Sequence, residues 1–72
     1  MKETVYFLSQ LHSVNNFTLT SDEVISKRNK WVLEHKNEVE EIDSEDVDFF
    51  IAPASNNYGH IFAKLRLTYY KK

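Results

Sequence analysis

Seventy-two residues, no cysteine and a formal charge of −2 describe one small domain, which removes only about 60% of its unfolded surface from water and has no disulfide, thiol nucleophile or cysteine-bound zinc to compensate. A hydrophobic content of 42%, with five Phe, four Tyr and one Trp, excludes a disordered chain. No apolar run approaches the length of a signal core or a membrane span, so the chain is expected in the cytoplasm and away from membranes.

The first element is ambiguous. Residues 4–11 (TVYFLSQL) begin as a β-rich run, yet Phe7, Leu8, Leu11 and Val14 also fit one face of a helix. The β-branched and aromatic content favours a strand. Residues 21–36 (SDEVISKRNKWVLEHK) carry a stripe at helical spacing, formed by Val24, Ile25, Arg28, Trp31, Val32 and His35. Thr20 with Glu23 fits a capping box, with Ser21 as a rival cap and Asp22 and Glu23 in the first turn. Glu23 and Lys27 stand four apart in the favourable order. The helix should fray over residues 36–41, where acids begin to oppose its negative end. Residues 46–52 (DVDFFIA) then alternate Val47, Phe49 and Ile51 against Asp48, Phe50 and Ala52, and Pro53 stops that ladder. Residues 53–59 (PASNNYG) have turn chemistry. Residues 60–70 (HIFAKLRLTYY) form the clearest strand, with Ile61, Ala63, Leu65, Leu67 and Tyr69 on one face and Phe62, Lys64, Arg66, Thr68 and Tyr70 on the other.

The expected fold is therefore α+β in the order β-α-β-β, a single domain over residues 1–72 with one helix packed on a three-stranded antiparallel-type sheet. One helix covers one face of a sheet. The other would leave Tyr6, Leu8, Phe50, Phe62 and Tyr70 in water, and an apolar patch of that kind points to a partner, most economically a second copy. These five residues form the expected dimer interface.

From MKETVYFLSQLHSV through FFIAPASNNYGHIFAKLRLTYY the chain resembles the YopT family of small Bacillus prophage proteins. The resemblance rests on overall sequence. It implies one helix, three strands, a homodimer and no assigned activity, with no catalytic or binding motif to carry over.

The densest charge lies in residues 37–48 (NEVEEIDSEDVD): Glu38, Glu40, Glu41, Asp43, Glu45, Asp46 and Asp48, with no base among them. The spacing fails the EF-hand pattern, because from Asp43 the sixth position is Asp48 and the twelfth is Ala54. The simplest reading is a solvated connection leading into an edge strand. The run could also imitate phosphates and occupy a basic cleft of a nucleic-acid enzyme, or pair with Lys64 and Arg66 across the hairpin. Nucleic-acid binding is a further reading, either through Tyr6 and Phe62 on an RNA-recognition-like sheet or, if the N-terminus is helical, through a wing-type arrangement with SKRNK (residues 26–30) on the reading helix. Net acidity opposes both. His12, His35 and His60 have no ligand spacing, and no P-loop, dinucleotide fingerprint or nucleophile elbow is present. The sequence therefore implies no enzyme activity, metal or cofactor, but a homodimeric interaction module with an unidentified protein partner in view.

Overall fold

The structure, a computed structural model, describes residues 1–52 and 59–72. Four strands and one helix follow in the order β1 (Lys2–Leu8), β2 (His12–Ser13), α1 (Phe17–Glu34), β3 (Val39–Ala52) and β4 (His60–Lys71). The sheet is antiparallel throughout and β4 is its central strand, flanked by β1 and β2 in one lane and by β3 in the other. The α+β class thus holds, but the described residues form four strands and not three. The first lane is interrupted at Ser9, whose N–H donates to the Ala63 carbonyl at 2.9 Å while its hydroxyl accepts from the Ala63 N–H at 2.8 Å. Two residues of β2 then resume pairing, His12 with Ile61 and Ser13 with His60. Residues 53–58 of the turn expected over residues 53–59 lie outside the described residues.

The N-terminal ambiguity resolves as a strand, because Phe7 and Val5 pack beside Leu65 and Leu67 of β4 on the side the helix covers. Alternation in β4 is as expected: Ile61, Ala63, Leu65, Leu67 and Tyr69 are all buried. Val24 of α1 and Phe7 complete this core, with Val5, Trp31, Val39, Ile42 and Phe49 packed around it. Trp31 presents its ring edge-on to Phe7 and Tyr69, at 6.1 and 5.2 Å between centroids. The Tyr69 hydroxyl reaches out of the core to donate to Glu3 at 3.0 Å, which satisfies the polar atom that a buried tyrosine must place.

The helix differs from expectation at its start. It begins at Phe17, so Thr20 is not a cap but a fully enclosed residue inside the helix, its hydroxyl donating to the Asn16 carbonyl at 2.8 Å. Asn16 precedes the helix without a side-chain capping bond. Tertiary contact explains the extension: Phe17 stacks on Phe49 of β3 at 4.2 Å, and Thr20 sits in the interior. Local capping preferences of about 1 kcal/mol are small beside that burial. At the other end His35 stops the helix, with its backbone N–H and its ring Nδ1 both at the Trp31 carbonyl (2.9 and 2.8 Å) and its ring stacked on Trp31 at 4.4 Å.

The largest correction concerns the acidic run. Residues 35–38 form a tight turn, and β3 begins at Val39, seven residues before the expected 46. Residues 39–48 are strand and not connection, although the run is solvated as expected, since all of residues 37–48 but Val39 and Ile42 are exposed. Two bulges accommodate the acids: the register with β4 shifts between Val39 and Glu41 and again between Ile42 and Ser44, leaving Glu40 and Asp43 as the extra residues.

Candidate interaction surface

The face of the sheet away from α1 follows from the register. It carries Lys2, Thr4, Tyr6 and Leu8 from β1, Phe62, Lys64, Arg66, Thr68 and Tyr70 from β4, and Glu41, Ser44, Asp46, Asp48 and Phe50 from β3. The apolar members gather at one end. Tyr6 and Leu8 are 54% and 52% exposed and Phe50 is 41% exposed. Phe50 lies opposite Phe62, the two rings stacked at 5.0 Å with planes 18° apart. Lys64 lays its ammonium over the Tyr6 ring at 4.5 Å, a contact that keeps its charge in water while covering part of the ring. Of the five residues expected at a dimer face, four are brought together. Tyr70 shares the face but stands eight residues along β4 from Phe62, about 26 Å at roughly 3.3 Å per residue. It forms a separate contact, beneath the Lys2 ammonium at 5.4 Å.

The seven acids are scattered where the sequence suggests one patch. Glu38 lies in the turn, its carbonyl accepting from the Lys72 N–H at 2.9 Å. Glu40 and Asp43 are the bulge residues, and Asp43 pairs with Lys2 at 3.4 Å, which holds the Lys2 ammonium above its ordinary range. Glu45 points to the helix side and takes Arg28 in a two-pronged contact, from Nε at 2.5 Å and from Nη2 at 3.1 Å. Glu41, Asp46 and Asp48 face the open side, where Asp46 is bonded to its register partner Arg66 and Asp48 stands opposite Lys64. Among the described residues no three His, Asp or Glu side chains converge as metal ligands.

A polar clamp was not legible in the sequence. Glu23 does not cap the helix and feels Lys27 through its charge and not by direct contact; it accepts from the Gln10 N–H at 2.6 Å and contacts His12 Nε2 at 2.8 Å. Lys27 donates to the Leu8 carbonyl at 2.6 Å. Together they tie α1 to the interruption between β1 and β2, where backbone groups have lost their ladder partners. The Gln10 N–H, then the His12 ring, hold the Glu23 carboxyl below its ordinary value. Of the three bases in residues 26–30 that the wing-type arrangement would use, Lys27 and Arg28 are engaged within the protein. The strand at β1 also removes the helix–helix–hairpin order on which that reading depends.

On the helix side, α1 lies over β4 and β1 and leaves β3 less covered. Between α1 and β3 runs an open groove of about 400 Å³ lined by Ile25, Arg28, Asn29, Glu45, Val47 and Leu65. No helix among the described residues is long and apolar enough to cross a membrane. No family model, curated protein or solved structure matches this chain.

Proposed function

We propose that the chain acts by binding and works as a homodimer, two copies meeting through the open faces of their sheets. The carrying observation is the cluster of Tyr6, Leu8, Phe50 and Phe62, apolar surface gathered at one end of a face that otherwise alternates in charge. Such a patch on a small chain is favourable to cover. Charge selects a second copy as the cover. Lys64 and Arg66 form a basic column on β4 beside an acidic column of Asp48 and Asp46 on β3. A twofold axis along the strands, between the two columns, sets the basic column of one copy over the acidic column of the other and Phe62 over its partner's Phe50. Such a face is complementary to itself.

The resemblance to the YopT family of prophage proteins implies the same assembly. A phosphate mimic would need its acids on one surface, whereas these are divided between the turn, two bulges and both faces of the sheet.

Sedimentation equilibrium tests the proposal on the unaltered chain and on Phe62→Asp and Phe50→Asp. The expected result is a dimer that becomes monomeric in both variants while far-UV circular dichroism and Trp31 fluorescence stay native. Phe50 is the safer variant, being the more exposed of the pair. A dimer that persists in both folded variants overturns the interface. A titration of labelled RNA and duplex DNA at low salt should be flat; binding that weakens steeply with salt would favour a nucleic-acid function instead.

A further inference from the structure

We propose that the free edge of β3, over residues 45–52, is a docking site for an extended peptide segment of another protein in which basic and apolar residues alternate. The free backbone edge and the helix-side residues Val47 and Ile51 lie apart from the open face, whereas Asp46 and Asp48 are shared with it, so the peptide does not require the dimer but would draw on the same acidic column.

The edge comes first. β3 is fourteen residues long and, among the described residues, bonds only to β4, so one side of its backbone has no ladder partner. Long free edges are normally guarded by bulges, inward charges or a covering element. Here the guard is uneven. Both bulges fall before Ser44, and from Ser44 to Ala52 the register with β4 is unbroken. That regular half also carries exposed apolar side chains, Val47 at 38% and Ile51 at 68%. Strand addition to such an edge gains main-chain hydrogen bonds and reads alternate side chains in pockets.

The pocket is the groove between α1 and β3. A strand laid along β3 would direct every second side chain towards Ile25, Val47 and Ile51, which calls for apolar residues at those positions. Its other side chains would emerge on the open side next to Asp46 and Asp48, which calls for bases. Asp48 has no ion pair among the described residues. The inner edge of β3 already accepts this pattern from its own chain, since β4 sets Leu65 and Leu67 on the helix side and Lys64 and Arg66 on the open side.

Charge also decides against a second β3 as the occupant. The strand carries six acids and no base. Pairing it with itself would gather like charge along one seam, which destabilises cross-strand neighbours.

The test uses the isotopically labelled full chain and three end-blocked eight-residue peptides: one alternating Lys and Val, one with four Lys followed by four Val, and the alternating peptide with every second amide N-methylated. Saturable binding of the first is expected, with backbone amide shifts concentrated in residues 45–52 and affinity falling as salt rises. The block and N-methylated peptides should bind many-fold more weakly, and Ile51→Lys and Asp48→Lys should each weaken the alternating peptide while leaving the fold intact. Equal affinity for all three peptides, or shifts confined to the open face or to β1, would overturn the proposal. So would failure of the alternating peptide to bind because a second β3 already fills the edge, seen as a dimer that Ile51→Lys dissociates.

Discussion

Truncation of Leu67 to alanine tests the account of the core most directly. Leu67 lies on the central strand, opposite Val5 of β1 and Glu45 of β3, and is fully enclosed. Removing a leucine side chain from such a site costs about 3–5 kcal/mol through lost transfer energy and the cavity left behind. A chain of 72 residues is stable by about 4–11 kcal/mol at roughly 0.05–0.15 kcal/mol per residue. One side chain therefore supports about a quarter or more of the net stability. Urea unfolding followed by the fluorescence of Trp31, which touches both Phe7 and Tyr69, should show the midpoint collapse with little change in slope. The melting temperature should fall by about 12 °C or more, taking roughly 4–8 °C per kcal/mol for a domain of this size. Leu33→Ala is the control, since Leu33 is 69% exposed on α1, and should stay within about 0.5 kcal/mol. A Leu67→Ala chain within about 1 kcal/mol of the unaltered one would refute the placement of the core.

Two further tests address the polar contacts, alongside those already given for the open face and the β3 edge. A double-mutant cycle of Arg28→Ala and Glu45→Gln should give a coupling of about 0.5–1 kcal/mol, the upper part of the range for partly exposed pairs because the contact is two-pronged; zero coupling would dissolve the bridge between α1 and β3. Glu23 titrates below its ordinary value of 4.5, so its contribution is present above that pH and is lost as pH falls through the lower folded value. Glu23→Gln should accordingly flatten the acid limb of a stability–pH curve, and an unchanged acid limb would show that the clamp adds nothing.

Much of the fold is written in local pattern. The alternation of residues 60–70 fixes β4 and its two faces, because the side-chain period of a strand is two and a single slip would expose Leu65 and Leu67. The β-branched and aromatic content of the N-terminal run favours a strand, and β1 is one. The open-face position of Tyr6, Leu8, Phe50 and Phe62 follows from the same parity. What the pattern does not contain is which strand sits at the centre, since that depends on pairing between residues as far apart as Lys2 and Tyr70. Nor does it contain the length of β3. Six acids in fourteen residues look like solvated chain to any local rule, and they become strand because Lys2, Arg28 and Arg66 arrive from three other elements and because two bulges take up the residues that do not fit. The early start of α1 has the same origin, in the stacking of Phe17 on Phe49. By itself the sequence determined the strand parities, the amphipathic helix and the two-faced character of the sheet, all set by neighbours a few positions away. Tertiary structure alone decided the strand order, the division of the acids among their partners and the free edge of β3, because each depends on contacts between segments that meet only when the chain is folded.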